Sequence, residues 1–315
     1  MAVYTSSSAV GERESLADVI YRIDPDETPL FSNAKKETTK AIYHEWQIQE
    51  LAAAVDTNYV NEGADFSYVN PTATTRVGNY HQISVQAASV SNTLDVVDKA
   101  GRDKETAMTK VLKGLEQRRD INKSLYKNEA SSSSDPRKAG KLITWISNVD
   151  APGDMAAAAN GNGTAAADLT GTAAALTLAK IDAAMLAAYS DGGSPNMLLM
   201  SPTNKQNFSG LSSGSVATNQ LHMTAPKEAA IIGSVSLYLS DFGELSVTVD
   251  RQCPNSEMYL LDTEYLCVGH LPGRMFNVTD ISPGGDATRF GIISEWTLIV
   301  KAPKSHAAVI GLNGS

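Results

Sequence analysis

One short stretch of the sequence has the residue spacing of a hydrolase nucleophile. Gly210-Leu-Ser212-Ser-Gly214 matches the pattern Gly-x-Ser-x-Gly, in which a serine on a sharp turn attacks an ester or amide carbonyl. That turn requires a strand directly before the serine and a helix directly after it. Here the pattern follows a polar helical segment and precedes a loop rich in Ser, Thr and Asn. This context argues against a nucleophile turn, and a serine hydrolase centred on Ser212 is kept only as an alternative.

Residues that bind metals or act as thiol nucleophiles are few and scattered. The chain contains five histidines and two cysteines, and no two histidines have the spacing of a zinc site. His44 and His81 fall in two predicted strands, where we favour a cross-strand pair over a metal site. Cys253 and Cys267 are predicted to be small buried apolar side chains. No catalytic residue, metal or cofactor is therefore predicted.

The composition predicts an ordinary folded chain of the cytoplasm. It has 315 residues, 42% of them hydrophobic, and a formal net charge of −9. The longest apolar stretch, 229–239, is interrupted by Gly and Ser and is far shorter than the ~20 residues of a membrane-spanning helix. The N-terminus lacks the basic flank and apolar block of a signal peptide. The acidic balance argues against a sequence-specific DNA reader, which normally carries a basic patch.

A long basic helix is predicted over about 97–129. It lies in 93–145, the part of the chain with a clear excess of basic side chains, twelve against eight acidic. Leu112, Leu115 and Ile121 belong to its apolar stripe, and lysines and arginines, among them Arg118 and Arg119, cover the other face. We interpret the basic face as solvated and partly ion-paired, with a nucleic-acid contact as the alternative.

The first ninety residues are predicted to form an arm and an extended β excursion. Residues 15–23 have the apolar spacing of a helix that Asp24-Pro25 ends, and Leu30 and Phe31 are followed by a polar run. The runs 42–48 and 83–87 both alternate in strand fashion, so the simplest interpretation pairs them in a long hairpin. An isolated hairpin is marginal in water, so this one must pack against something else.

The C-terminal half is predicted to form an α/β unit. Residues 151–175 form a low-complexity loop, 176–189 an amphipathic helix, and a second helix begins at Pro202. Strands are predicted at 196–200, 235–239, 245–249, 258–261, 266–268, 290–300 and 307–312. A chain with no catalytic constellation, an arm that cannot fold alone and an unsupported hairpin indicates a protein that assembles with partners.

Short motifs spread over residues 15–312 follow the order of a known family. They are Pro25-x-x-Thr28-Pro29-Leu30, His44-Glu45-Trp46-Gln47, 176–193 with Pro195, Ser201-Pro-x-x-Lys205 with Phe208, Asp250 with Pro254, Asp262, and Glu295-x-Thr-Leu298 with Ala307 and Ile310. With the order of elements, these motifs resemble the major capsid (major head) proteins of tailed bacteriophages, which have the Hong Kong 97-like fold. Each motif alone is weak, and their order along the chain carries the likeness.

The resemblance implies an α+β fold in named parts. Residues 1–38 would be the N-terminal arm, and 39–92 an extended loop, a β hairpin that lies over a neighbouring subunit. Residues 93–145 and 269–315 would form a peripheral domain around the spine helix at about 97–129. Residues 146–268 would form an axial α/β domain that clusters at five-fold and six-fold centres.

The resemblance also implies a structural function rather than an enzymatic one. Copies would form the pentamers and hexamers of an icosahedral head around double-stranded DNA, without sequence-specific binding, cofactor or membrane. The expected partners are a portal and a separate scaffolding protein, with an already processed chain as the alternative to the scaffold, and decoration proteins as an optional addition. Assembly is expected in the host bacterial cytoplasm before the chain resides in the virion. The candidate contacts between subunits are Phe31, Tyr43, Trp46, Arg118 and Arg119. An encapsulin-like nanocompartment shell is the alternative with a related fold.

Overall fold

The computed structural model describes residues 20, 22, 25–158, 161–214, 236–282 and 285–314. The helices are α1 (Pro29–Asn33), α2 (Asn92–Val96), α3 (Glu105–Leu125), α4 (Leu142–Trp145), α5 (Leu178–Ser190) and α6 (Pro202–Gly214), with a 3-10 turn at Pro303–Ser305. The strands are β1 (Lys35–Thr38), β2 (Tyr43–Ile48), β3 (Thr75–Tyr80), β4 (Gln82–Ser91), β5 (Asn148–Asp150), β6 (Met197–Met200), β7 (Leu237–Ser240), β8 (Gly243–Val249), β9 (Glu257–Leu261), β10 (Leu266–His270), β11 (Asn277–Ile281), β12 (Ala287–Val300) and β13 (Ala307–Ile310).

A five-stranded sheet is built around the long strand β12. Strand β4 pairs antiparallel with residues 287–296 of β12, β11 with 289–293 and β10 with 296–300. Strand β1, which follows the arm helix, runs parallel to β10. The arm therefore contributes a strand to this sheet, although its polar sequence gives no strand signal.

The spine helix α3 packs against this sheet and is shorter than predicted. Gln117 Nε2 donates to the carbonyl of Ser84 on β4 at 2.8 Å, and Lys110 Nζ lies 5.2 Å from the ring centroid of Phe290 on β12. The helix begins at Glu105 rather than near 97, because Gly101 has a φ of 80° and separates it from the short helix α2. Its 21 residues make a rod of about 32 Å.

A six-stranded sheet with the order β5-β13-β9-β6-β8-β7 forms the second body. Strand β6 is buried on both faces, as expected for its uninterrupted run Met-Leu-Leu-Met. Leu198 and Met200 face α5 and α6, while Met197 and Leu199 belong to the core that also holds Ile121 of α3. One continuous core therefore connects the arm helix, the spine helix and both sheets.

The hairpin prediction is wrong in its second strand. Strand β2 pairs with β3, from Tyr43 opposite Tyr80 to Ile48 opposite Thr75. The run 83–87 does form a strand, β4, but that strand pairs with β12, where Ile83 lies opposite Glu295. Alternation indicates that one face of a strand is covered and says nothing about which strand lies beside it.

The predicted pairing of two histidines is also wrong. His44 lies opposite Asn79 in the β2–β3 ladder, and His81 is the single residue between β3 and β4. The shift to β3 as the partner of β2 explains this, since it moves His81 beyond the end of the ladder. His81 is instead buried and bonded to Thr39 and to the backbone of Ile42.

Most predicted elements of the C-terminal half are confirmed. Two of its strands, however, belong to the sheet of the other proposed domain. The helix at 176–189 and the strands at 196–200, 258–261 and 290–300 are present as α5, β6, β9 and β12. Strand β13 joins the six-stranded sheet beside β9, and β10 joins the five-stranded sheet. The helix predicted at 15–23 lies outside the described residues, apart from Ile20 and Arg22.

Candidate assembly surface

The end of the β2–β3 hairpin at which Tyr43 pairs with Tyr80, which we call the hairpin root, is fixed to the body of the subunit. Asn79 Nδ2 donates to the carbonyls of Gly140 and Leu298 at 3.0 and 2.8 Å, and Asn79 Oδ1 accepts the Gly140 N–H at 2.7 Å. The Trp46 ring lies 5.1 Å from the Trp145 ring. These contacts hold the hairpin against strand β12 of the five-stranded sheet and against the segment that contains Gly140 and helix α4.

His81 closes the same root as a neutral ring. Its Nδ1 donates to the carbonyl of Ile42 at 2.9 Å, which leaves Nε2 to accept the Thr39 hydroxyl at 2.7 Å. Burial lowers the pKa of His81, so the uncharged form is favoured. The residue connects the segment between β1 and β2, which holds Thr39 and Ile42, to the junction of β3 and β4.

Beyond the root, the chain between β2 and β3 projects without cover. Residues 49–74 contain no helix or strand and every one of them is exposed. Leu51 and Tyr68 are 97% and 92% exposed. The exposed apolar side chains of this segment, which we call the apolar loop, are Leu51, Val55, Tyr59, Val60, Phe66, Tyr68 and Val69. Seven large apolar side chains exposed within one segment of 26 residues are the kind of surface that proteins use for interaction.

The arm is seated on the spine helix of its own subunit. The Phe31 side chain is buried, with Lys36 Nζ 3.6 Å and Arg118 Cζ 5.8 Å from its ring centroid. Arg118 Nη2 also donates to Ser32 Oγ at 2.7 Å, and Arg119 Nη1 donates to the carbonyl of Pro25 at 3.4 Å. Burial and the neighbouring Arg118 lower the pKa of Lys36 to about 8. The basic face of α3 therefore binds the arm.

The five candidate contact residues fall into two groups. Phe31, Arg118 and Arg119 come together where the arm meets the spine helix. Tyr43 and Trp46 are half-buried on β2, and the Tyr43 ring lies 4.4 Å from that of Tyr80. Their contact with another subunit stays a prediction.

Several buried polar residues of this surface were missed from the sequence. Asn79, Asn122 and Lys141 are fully buried, as is Asp250, which the sequence marks only as part of a motif. Lys141 Nζ donates to Gln82 Oε1 and lies 4.6 Å from the ring centroid of Trp296. Burial lowers the pKa of Lys141 to about 7. Hydrophobic periodicity cannot find such residues, because a buried polar group looks like a surface group in the sequence.

The catalytic and metal-binding alternatives find no support in the described part of the chain. The Gly-x-Ser-x-Gly motif forms the end of helix α6, so the strand-turn-helix geometry of a nucleophile is absent there. Among the described residues, no group of three or more His, Cys, Asp or Glu side chains can hold a metal ion. Nor does any helix in those ranges have the length and apolarity to span a membrane.

Comparison of the sequence with known families gives one extended match. The family described as SU10 major capsid protein matches residues 3–313. The chain is also 28% identical over 128 residues to the major capsid protein of Escherichia phage Phieco32, which covers 41% of this chain and 36% of that protein. The chain thus spans about a third of the length of this curated relative.

Comparison of the fold gives matches over almost the whole chain. The structure described as the cyanophage A-1(L) capsid asymmetric unit has a TM-score of 0.67 at 15% identity and covers 98% of both chains. The holo-SrpI encapsulin complex from Synechococcus elongatus PCC 7942 has a TM-score of 0.54 at 9% identity and covers 94% of this chain and 93% of that one. These likenesses confirm the predicted α+β capsid fold, and the family match distinguishes between the two kinds of shell.

Proposed function

The chain belongs to the SU10 major capsid protein family, and from this premise we propose that its copies form the pentamers and hexamers of an icosahedral phage head. A major capsid protein is a structural component of the virion rather than an enzyme. The head would enclose double-stranded DNA, held by the closed wall rather than by sequence-specific contacts.

The apolar loop is the observation that carries this proposal. Its base is fixed by buried contacts of Asn79 and Trp46, while seven apolar side chains beyond the base are exposed to water. Covering a Leu, Val or Phe side chain stabilises a complex by about 1.5–3 kcal/mol. A rigid base with an uncovered apolar end fits a segment that lies on an adjoining copy.

In this proposal the five candidate contact residues belong to two parts of the subunit, the hairpin root and the junction of the arm with the spine helix. Tyr43 and Trp46 belong to the hairpin root and contact the adjoining subunit along the half-buried face of β2. Phe31, Arg118 and Arg119 hold the arm on the spine helix and so determine which arm surface meets a neighbour.

The division into parts is proposed for the assembled shell. Residues 1–38 act as the arm, 39–92 as the extended loop, 93–145 with 269–315 as the peripheral domain, and 146–268 as the axial domain at the five-fold and six-fold centres. Strand β10 begins within 146–268 but joins the five-stranded sheet, and β13 lies within 269–315 but joins the six-stranded sheet, so the proposed peripheral and axial domains exchange strands.

The partners beyond other copies of the chain follow from the same proposal. A separate scaffolding protein guides the size of the head, whereas closure itself needs only copies of this chain; a portal occupies one vertex, and any decoration proteins bind outside. Assembly takes place in the cytoplasm of the host bacterium.

Electron microscopy of the purified full chain tests the proposal. We expect closed shells for the wild type and none for the double variant F66S/Y68S, because its loop offers less apolar surface. The control V111S removes an apolar side chain that is 60% exposed on α3, outside the loop, and should still give shells. A wild-type chain that remains a monomer at all concentrations would contradict the proposal.

The contents of particles made in a phage infection distinguish a phage head from a nanocompartment. We expect nuclease-protected double-stranded DNA in shells that contain this chain. Shells filled with a single cargo enzyme and no nucleic acid would favour the encapsulin-like alternative.

A further inference from the structure

A buried asparagine on the spine helix connects the arm to the six-stranded sheet. Asn122 lies on α3 and is fully buried. Its Oδ1 accepts the backbone N–H of Phe31 at 2.9 Å, and its Nδ2 donates to Asp250 Oδ2 at 2.8 Å. Phe31 belongs to the arm helix α1, and Asp250 directly follows β8. One side chain therefore contacts two parts of the chain that are far apart in sequence.

The carboxylate of Asp250 fixes the orientation of the Asn122 amide. Asp250 Oδ2 also accepts the hydroxyl of Tyr126 at 2.7 Å, and Oδ1 accepts the Gln252 N–H at 2.8 Å. A carboxylate accepts hydrogen bonds, so Asn122 must present its NH₂ group to it. The carbonyl oxygen of Asn122 is then left for a donor on the other side, where the arm supplies one.

The arm helix has no side-chain cap of its own. The side chain of Thr28, the residue before α1, makes no capping bond to a backbone N–H of the helix, and its hydroxyl lies 3.4 Å from Ser32 Oγ instead. The first backbone N–H groups of a helix have no partner within it, and a helix of five residues is not stable alone in water. The Phe31 N–H finds its acceptor on Asn122, 91 residues along the chain. The helical form of the arm and its attachment to the spine helix are thus coupled.

The ring of Phe31 supplies a separate part of the arm's seat. Lys36 and Arg118 lie beside this ring, and the Phe276 ring packs edge-on at a centroid distance of 6.2 Å. Such contacts attract the ring without fixing the backbone that carries it. Attraction and position therefore come from different side chains.

We propose that Asn122 is the positioning residue of the N-terminal arm and that Asp250 determines its orientation. The arm and the end of β8 then hold their relative place through a single amide, and loss of one contact weakens the other. The consequence for assembly rests on the proposed function, whereas the coupling is a property of the single subunit.

Hydrogen exchange of the unassembled full chain, read by mass spectrometry, tests the coupling. In N122A we expect the amides of residues 29–38 to exchange at least ten-fold faster, with little change in β6. Asn128 provides the matched control, since it donates to the Ala167 carbonyl at 2.7 Å and accepts the Ala167 N–H at 2.9 Å. N128A should leave exchange of the arm unchanged. Unchanged exchange of 29–38 in N122A would overturn the proposal.

Interchanging the two side chains, Asn122 and Asp250, distinguishes a positioning role from a merely structural one. N122D places two carboxylates face to face, and D250N takes an acceptor from the Tyr126 hydroxyl or the Gln252 N–H, so each variant should loosen the arm. In N122D/D250N the new carboxylate accepts from both Phe31 and the new amide, and arm protection should exceed that of either single variant. Losses that add in the double variant would overturn the proposal, even if N122A fails to fold.

These measurements separate this inference from the proposed function. Arm protection that depends on Asn122 in a chain that forms no shells would support the coupling and contradict the proposed assembly. Normal shells from a chain in which N122A leaves hydrogen exchange of the arm unchanged would support the proposed assembly and contradict the coupling.

Discussion

At the scale of single residues, His306 makes stability depend on mildly acidic pH. It is fully buried, its Nδ1 accepts the Asp262 N–H at 3.1 Å, and burial lowers its pKa to about 4. Since the unfolded chain binds a proton at higher pH, the free energy of unfolding falls as pH falls from about 6.5 to about 4. The loss is roughly 3 kcal/mol.

The variant H306N tests this dependence, because Asn retains an acceptor and does not titrate. Urea unfolding of unassembled subunits at pH 7 and pH 4.5 should show a loss roughly 2–3 kcal/mol larger for the wild type than for H306N. The same substitution at the half-buried His44 serves as the control and should leave the wild-type loss in place. Equal losses in wild type and H306N would mean that the ring is solvated.

Lys141 makes stability depend on pH at the alkaline end. Its pKa is lowered from 10.5 to about 7 by burial, with Glu129 opposing the shift and Lys127 and Lys138 adding to it. The unfolded chain therefore holds the extra proton between these values, and the free energy of unfolding rises with pH from about 7 to about 10.5.

We expect wild-type subunits to gain roughly 3 kcal/mol more than K141M between pH 7 and pH 9.5 in urea unfolding. Methionine keeps most of the volume at this site and carries no charge. K138M, at a more exposed lysine nearby, is the control and should behave like the wild type. An equal change in the free energy of unfolding with pH for wild type and K141M would show that the buried amine stays protonated.

The same residues mark the limit of sequence analysis at this scale. Apolar core positions such as Ile121 and Leu198 follow from helix and strand periodicity and are buried. Asn122 and Asp250 are equally buried, yet their burial depends on partners that lie far away along the chain. No local pattern contains that information.

At the scale of elements, the hairpin root depends on the absence of a side chain at Gly78. A Cβ there would lie 2.7 Å from Tyr43 Cζ and 2.8 Å from the His44 carbonyl. We expect G78A to destabilise the subunit by about 1–3 kcal/mol, because backbone and a packed ring must both shift. Thermal unfolding and protease cleavage near residue 48 measure the effect.

The substitution of Gly114 provides a control of opposite sign. Gly114 lies within α3, and a Cβ there would meet no atom within 4 Å. G114A should therefore stabilise the subunit by about 0.5–1 kcal/mol through helix propensity. A similar loss of stability in both variants would contradict the steric argument at the hairpin.

The hairpin also shows what alternation in a sequence can and cannot predict. It correctly predicts strands at 43–48 and 83–87, since each has one covered face. It misses β3, where Gly78 interrupts the β-branched pattern, and so assigns the wrong partner to β2. Strand pairing is decided by packing against the rest of the subunit, which the local sequence does not record.

At the scale of the whole molecule, the order of elements was the strongest sequence signal. Arm, excursion, basic helix, α/β body and returning strand appear in that order, and the fold comparison confirms the capsid architecture. The sheet to which β10 and β13 each belong was not predictable, because each short strand fits either sheet by composition. The sequence thus predicts the architecture better than the exact sheet membership.

The charge of the whole subunit predicts how assembly responds to salt. Each subunit carries a formal charge of −9, so copies repel one another. The basic side chains of α3 are largely used within the chain, with Arg118 on the arm, Lys110 on Asp280 and Lys113 on Glu116. If the loop makes the contact proposed for it, we expect attraction between copies to come chiefly from the apolar loop, which salt does not screen.

Screening of the repulsion should therefore favour shells. We expect the concentration at which shells appear, followed by light scattering, to fall several-fold between 50 and 500 mM NaCl, since the Debye length shrinks from about 14 to about 4 Å. The variant E62Q/D65N removes two exposed charges beside the apolar side chains and should lower the threshold at low salt with little effect at high salt. A threshold that rises with salt would mean that ion pairs between copies dominate the attraction. The basic face of the spine helix would then be the better candidate for the interface between subunits.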